Sequence, residues 1–183
     1  MLGMYYFSVC LFGGPMGDGL KPQNNLECLQ SGSACGNVII RPATEADAAF
    51  VHNMMCQLET MEFDYPSFLP RFSRQLHNPN YTCLIAESGG SPAGVINLKI
   101  EAHLHHECPT AEICELVVDA RARGGGIGTK LVQRALRIAR EAGCEVLELS
   151  SNGSRTDAHR LYERLGLSKT HWHMTMPLEK EER

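Results

Sequence analysis

Apolar residues in the first half of the chain recur at helical spacing. One stripe follows the i, i+3, i+4, i+7 pattern of a single helical face and consists of Val51, Met54, Met55 and Leu58. Thr44, with Asp47 three residues later, has the spacing of a capping box and marks the start of this helix. Apolar residues four apart predict a second helix, which carries Phe68, Phe72 and Leu76.

Shorter apolar runs bounded by turn residues predict the strands. The first covers residues 38–40, and the others are YTCLIAE (81–87), AGVINLKIEA (93–102), ICELVV (113–118), EVLELSS (145–151) and LSKTHWHMTM (167–176). Further helices are expected after the glycines at 124–128 and over AHRLYERLG (158–166), where Ser154 and Asp157 suggest a second capping box. The resulting order, β-α-α-β-β-β-α-β-α-β, predicts a single mixed α/β domain.

The first 36 residues differ from the rest of the chain. They are rich in Gly, Ser, Asn and Cys and show no sustained period of 2 or 3.6. We therefore expect a poorly ordered N-terminal extension at residues 1–36 and a folded domain at residues 37–183.

Composition narrows the class of partner. A net charge of −4 and a pI near 6.1 argue against a nucleic-acid binder, which usually carries a basic face. No apolar run reaches the roughly 20 residues that a membrane span requires. Eight cysteines are scattered without CxxC spacing, so we expect reduced thiols in a cytoplasmic protein.

The glycines of RARGGGIGTK need an explanation, because glycine costs roughly 1 kcal/mol relative to alanine inside a helix. Their spacing fits neither the Walker motif GxxxxGK[ST] nor the dinucleotide-binding motif GxGxxG. Arg123, Gly126 and Gly128 instead fit the pattern R/Q-x-x-G-x-G/A. Amide groups at a helix N-terminus attract anions, and positions without side chains let a pyrophosphate approach the backbone. A tight turn that binds nothing is the alternative.

The segment ELVVDARA, the glycine loop, the helix after it, Asn152 and AHRLYERLGL together resemble the GNAT superfamily of acetyl-CoA-dependent N-acetyltransferases, over about residues 38–177. The resemblance implies a mixed, mostly antiparallel sheet of six to seven strands, flanked by about four helices, with acetyl-CoA between two splayed parallel strands. It implies a coenzyme site formed by Leu116, Val117, Val118, Arg123, Gly124, Gly125, Gly126, Ile127, Gly128, Thr129 and Asn152. Within that site, residues 116–118 would pair with the pantetheine arm and residues 123–129 would hold the pyrophosphate.

An amine attacks a thioester only when it is neutral, so the site needs a proton acceptor and a donor for the thiolate that leaves. In this family the strand before the glycine loop often supplies a carboxylate, and here it offers Glu112 and Glu115. Strict alternation puts these side chains on opposite faces, whereas a bulge would change that. We expect Glu112 to be the base, directly or through a water, with Glu115 in support; edge-strand charges are the alternative. The resemblance places Tyr162 as the general acid, and a packing tyrosine is its alternative.

The HLHH run, EICELVVD and SSNGSRTDAHRLYERLGL resemble the aminoalkylphosphonate N-acetyltransferases, which implies a small amine that bears a phosphonate. The candidate substrate-binding residues are His103, His105, His106, Arg155 and His159, with Arg71 or Arg74 from the second helix. His103 and His105 share a face if their strand continues, which makes them candidate ligands of a divalent metal ion. Surface positions or direct contacts with the anion are the alternative.

Other functions stay open at this point. The chain could acetylate another small amine, an aminoglycoside, or a protein N-terminus or lysine. It could also be a non-catalytic acetyl-CoA-binding regulatory module, although the presence of both Glu112 and Tyr162 disfavours this. Domains of this kind often dimerise through a C-terminal strand, so the resemblance favours a homodimer.

Overall fold

The computed structural model describes residues 37–178, so the predicted extension at residues 1–36 lies outside the described residues. The described strands are β1 (Val38–Pro42), β2 (Tyr81–Ser88), β3 (Ser91–Glu101), β4 (Thr110–Val118) and β5 (Val146–Leu149). The described α-helices are α1 (Ala48–Glu59), α2 (Tyr65–Leu76), α3 (Ile127–Glu141) and α4 (Thr156–Arg164). None of these helices is long and apolar enough to cross a membrane.

The strands form one sheet in the order β1-β2-β3-β4-β5. Neighbours from β1 to β4 are antiparallel, whereas β4 and β5 are parallel. The parallel pairing is short: it joins Thr110–Ile113 to Val146–Leu149, and β4 then continues to Val118 without β5 beside it. All four residues of β5 thus pair with the first four residues of β4.

The prediction of six to seven strands is wrong, because the sheet of the described residues has five. The missing strand is the one predicted over residues 167–176, a segment without regular secondary structure. Its alternating apolar side chains are almost fully exposed and include Trp172, Met174 and Met176. A strand is stabilised by the ladder it forms with a neighbour, and alternation in the sequence does not reveal whether that neighbour exists.

The predicted capping box is formed at a single 3₁₀ turn, Glu45–Asp47, which leads directly into α1. The backbone amide of Thr44 donates to Asp47 Oδ2 over 2.8 Å, and the amide of Asp47 donates to the Thr44 carbonyl over 3.0 Å. Arg41 on β1 also donates two hydrogen bonds, of 2.7 and 2.8 Å, to the buried Asp47 carboxylate. These contacts attach the first helix to the first strand.

The second predicted capping box, at α4, is wrong. The Ser154 hydroxyl donates to the side-chain oxygen of Asn152 over 2.8 Å and does not cap the helix, which begins at Thr156 after Arg155. The spacing predicted that the Ser154 hydroxyl caps α4. This hydroxyl instead forms a hydrogen bond in the local turn with Asn152.

Helices pack on both faces of the sheet. On one face, α3 buries Leu131, Val132 and Ala135 against Ile96 and Ile113. On the other face, α1 and α2 cover a second cluster around Met54, Phe68, Phe72, Ile85, Val95 and Val117. The residues of interest for chemistry lie on this second face.

Candidate active site

A β-bulge in β4 sets the direction of its two acidic side chains. Asn97 of β3 pairs with Glu115, but the next residue, Leu98, pairs with Ile113, which leaves Cys114 as the extra residue. Glu112 pairs with Lys99, two residues beyond Asn97 on β3. The bulge therefore places Glu112 and Glu115 on the same face of the sheet, towards α1 and α2. The sequence analysis had identified this as the alternative to strict alternation.

A cavity of about 340 Å³ lies between α1, α2 and this face of the sheet. Apolar side chains form much of its wall, and Phe63, Phe68 and Phe72 are among them. The polar side chains that line it are Glu59, Arg71, Gln75, Cys83, Asn97 and Glu115. Glu115 thus contributes to the cavity, whereas Glu112 is not among the lining residues.

Burial raises the pKa of Glu115 above its ordinary value. The nearby carboxylates Glu112 and Glu59 add to this effect, and a hydrogen bond from Asn97 opposes it. Asn97 Nδ2 donates to Glu115 Oε2 over 2.9 Å and to Gln75 Oε1 over 3.1 Å. A half-buried carboxylate that forms no salt bridge within residues 37–178, and whose pKa is shifted towards neutrality, is suited to accept a proton.

The glycine loop between β4 and α3 keeps its backbone accessible. Gly124 and Gly126 have φ values of +82° and +75°, and a Cβ added to either would meet no atom within 4 Å. Gly126 is the N-cap of α3, whose first-turn amides have no intrahelical acceptors. Arg123 Nε donates to the carbonyl of Val118 over 3.1 Å, which ties the loop to the end of β4. This arrangement suits an anion at the N-terminus of α3.

The other predicted coenzyme residues surround this loop. Ile127 is buried beneath α3, and a Cβ on Gly128 would lie 3.2 Å from Leu161 Cδ2, so α3 and α4 approach closely there. Leu116 and Val118 pack towards α3, and Val117 packs towards α1. Asn152 takes part in the turn described above, where its side-chain oxygen also accepts from the amide of Ser154 over 3.0 Å.

Tyr162 lies on α4, and Arg155 is the residue directly before this helix. Arg155 Nη2 donates to the carbonyl of Leu58 over 2.8 Å and to Glu59 Oε1 over 3.2 Å, so it joins α4 to the end of α1. Burial raises the pKa of Tyr162, and the positive charge of Arg155 opposes this. Tyr162 is therefore protonated at neutral pH. His159, one turn earlier, has its Nε2 3.2 Å from the Ser151 hydroxyl.

The histidines of HLHH do not extend the strand as expected, because β3 ends at Glu101 and they lie in the loop before β4. The rings of His103, His105 and His106 form a cluster with centroids 4.4 to 6.1 Å apart. His106 Nδ1 contacts the carboxylate of Glu145, and His103 Nε2 lies 4.0 Å from that of Glu101. Within residues 37–178, no three His, Cys, Asp or Glu side chains are arranged to hold a metal ion. The metal site at His103 and His105 therefore stays a prediction.

The comparisons with known proteins agree with this geometry. Residues 50–167 match the model of the acetyltransferase (GNAT) family. The chain belongs to the GNAT family of acetyltransferases. It is thus an acyltransferase that depends on acetyl-CoA.

Among its relatives, this acetyltransferase is 40% identical over 139 residues to the aminoalkylphosphonate N-acetyltransferase of Salmonella typhimurium, covering 76% of this chain and 90% of that protein. It is 30% identical over 110 residues to human N-alpha-acetyltransferase 30, covering 60% of this chain and 30% of that protein. A transcriptional regulator from Bacillus halodurans superposes with a TM-score of 0.72 at 28% identity, covering 78% of this chain and all of that one. An aminoglycoside N-acetyltransferase solved with CoA has the same fold, with a TM-score of 0.69 at 16% identity, covering 78% of this chain and 95% of that one.

The sequence analysis did not identify Asn97 or Gln75. Asn97 interrupts the otherwise apolar run AGVINL (93–98), and a polar residue in the middle of a buried strand is a usable signal. Gln75 gives no comparable signal, because a glutamine on a surface helix is ordinary.

Proposed function

We propose that this acetyltransferase transfers the acetyl group of acetyl-CoA to the primary amine of a small aminoalkylphosphonate. The observation that carries the proposal is the cavity, which has Glu115 on the sheet side and Arg71 on α2. Opposite charges in one small cavity match a zwitterion, and a guanidinium suits a phosphonate in particular. The similarity to the Salmonella enzyme favours this substrate class.

The size of the cavity favours a small acceptor over a larger one. Its volume of about 340 Å³ is at the lower end of the range for small-molecule sites. An aminoglycoside or a peptide needs more room or an open groove. Aminoglycosides and peptides remain the alternative acceptors. The similarity to human N-alpha-acetyltransferase 30 favours the peptide acceptor among them.

In this proposal, Glu115 accepts the proton that the substrate ammonium must lose. The raised pKa of Glu115 makes this carboxylate a stronger base than an exposed one. Glu112, the base expected from the sequence, shares the face but not the cavity and stays the alternative. Tyr162, which is protonated at neutral pH, donates to the departing thiolate. Arg71 binds the phosphonate, and the histidines of the β3–β4 loop have no assigned role.

The proposal assigns the pyrophosphate of the coenzyme to the glycine loop, and α3 offers a matched test. Gly126 and Gly143 stand at opposite ends of this helix with φ values of +75° and +73°, and an added Cβ meets no atom within 4 Å at either. Gly126→Val and Gly143→Val should therefore cost similar stability, roughly 1–3 kcal/mol each. Only Gly126→Val should weaken CoA binding measured by calorimetry. Equal CoA affinity in the two variants would contradict the assignment.

The substrate is tested by thiol release from acetyl-CoA. We expect turnover with 2-aminoethylphosphonate and much slower turnover with β-alanine, its carboxylate analogue, because the guanidinium of Arg71 would hold the phosphonate with more charge and more acceptor oxygens. Equal rates with both would indicate a general small-amine acetyltransferase. Turnover of a peptide N-terminus alone would reject the proposed substrate class.

A further inference from the structure

Asn97 is a polar residue in the middle of the sheet and is only 5% exposed. Its strand neighbours are Cys83 on β2 and Glu115 on β4, and all three line the cavity. A buried amide needs partners for both its nitrogen and its oxygen, because a buried polar group without a partner is destabilising. The hydrogen-bond partners of Asn97 therefore indicate which of its two polar side-chain atoms is left to bind a ligand.

Two acceptors fix the orientation of this amide. Asn97 Nδ2 donates to Gln75 Oε1 and to Glu115 Oε2. Turning the amide over would place Oδ1 against the carboxylate of Glu115, where two acceptors would repel each other. The carboxylate thus holds Nδ2 in place and directs Oδ1 away from it.

The oxygen of the same amide lacks a protein partner. Asn97 Oδ1 is buried and accepts no hydrogen bond from any of the residues that the structure describes. It lies on a residue that lines the cavity, beside a carboxylate whose pKa is raised. A donor from a ligand in the cavity would satisfy it.

We propose that Asn97 Oδ1 accepts a hydrogen bond from the substrate amine, so that Asn97 and Glu115 together form an ammonium subsite. This inference rests on the proposed function and adds a binding residue to it. An ammonium group has three N–H donors, and the carboxylate and the amide oxygen each accept one.

The two acceptors have different roles because their basicities differ. Glu115 is a carboxylate and takes the proton, so the ammonium becomes a neutral amine and the carboxylate becomes a carboxylic acid. Asn97 Oδ1 is an amide oxygen that is not protonated near neutral pH, so it holds an N–H of the amine without removing it. The amine thus keeps one contact to the sheet after it has lost its proton, and its lone pair is free to attack the thioester.

The test uses two ligand pairs whose members differ by the amino group: 2-aminoethylphosphonate with ethylphosphonate, and β-alanine with propionate. Affinities are measured by calorimetry with saturating CoA, which has no acetyl group and allows binding without turnover. We expect wild-type protein to prefer the amine of at least one pair. Asn97→Leu should reduce this preference about tenfold, the size expected for one hydrogen bond to a charged group.

Gln75→Leu is the matched control, because it removes the other acceptor of Asn97 Nδ2 from the same cavity and leaves Asn97 Oδ1 and Glu115 in place. It should retain the preference for the amine. Asn80→Leu removes an exposed asparagine at the start of the β2 region and should bind all four ligands as wild type does. If Asn97→Leu does not fold, Asn97→Ala makes the same comparison with a smaller side chain.

Three results would overturn the inference: no amine preference in wild type, an undiminished preference in Asn97→Leu, or equal losses in Asn97→Leu and Gln75→Leu. The last would mean that the preference depends on the packing of this side of the cavity and not on Asn97 Oδ1. A different result would reject the phosphonate as substrate and leave the ammonium subsite in place. If only the β-alanine pair shows an amine preference that depends on Asn97, the subsite stands and the phosphonate assignment is wrong.

Discussion

The two faces of the sheet are built from alternate residues of the same strands, yet the side chains that they bury differ in polarity. The face under α3 is closed and apolar, with Leu131, Val132 and Ala135 fully buried on it. The face under α1 and α2 has an apolar cluster of its own but also a cavity with Asn97 and Glu115 at its floor. The fold thus gains packing energy on one face and keeps room for polar chemistry on the other.

Two buried or half-buried carboxylates on the second face extend this comparison. Asp47 is held by two hydrogen bonds from Arg41, which lower its pKa to about 2. Within residues 37–178 Glu115 forms no salt bridge, and burial raises its pKa. A carboxylate that is paired with a guanidinium supports the structure, whereas one that is left without a cation is available for a ligand.

The largest expected effect comes from removing the charge of Glu115. Glu115→Gln should lower kcat/KM for the amine by about 10²–10⁴-fold, the contribution of a general base, and leave CoA affinity unchanged. Thiol release and calorimetry measure the two quantities. Glu112→Gln is the comparison: a larger loss in that variant than in Glu115→Gln would return the role of base to Glu112.

The apolar face under α3 should contribute mainly to the free energy of unfolding. Leu131 is fully buried under α3, so Leu131→Ala should lower the free energy of unfolding by about 2–5 kcal/mol. Met55→Ala should cost less, because Met55 lines the cavity and already borders empty space. Urea unfolding of both variants measures the difference. Equal losses would show that the two faces are packed alike.

The smallest effects are opposite pH dependences of stability. The folded pKa of Asp47 lies below its ordinary 3.8, so its contribution is complete above that value and is lost as the pH falls towards about 2. The folded pKa of Glu115 is raised, so the wild type loses stability as the pH rises through it. Asp47→Asn should therefore be less stable than wild type at neutral pH and approach it in acid. Glu115→Gln should be more stable at neutral pH and also approach wild type in acid. Thermal unfolding of the wild type and both variants from pH 2 to 8 tests these two directions. A stability difference from the wild type that does not change with pH would contradict the pKa shift of the residue concerned.

Much of the fold follows from local patterns. The stripe of Val51, Met54, Met55 and Leu58 predicts α1, and Thr44 with Asp47 predicts its start, because caps and amphipathic faces depend on neighbours in sequence. The sixth strand was not predictable in this way. Whether residues 167–176 form a strand depends on a partner edge that the segment itself does not encode.

The candidate site could be predicted only in part. The glycine motif indicated the loop before α3, and the family resemblance limited the base to the two carboxylates of the preceding strand, Glu112 and Glu115. Choosing between these required the bulge at Cys114 and the packing of α1 and α2, which decide which carboxylate borders the cavity. The contact of Asn97 with Gln75 joins residues 22 positions apart and has no local signature.

The exposed segment after α4 has an optical consequence. Trp172 is the one tryptophan of the sequence, and its side chain is 94% exposed. Indole fluorescence therefore reports on this segment alone, without a background from the core. The free protein should emit at the long wavelengths typical of hydrated indole. A second copy or another partner that covers the segment would shift the emission to shorter wavelengths, so the chain contains its own reporter of association.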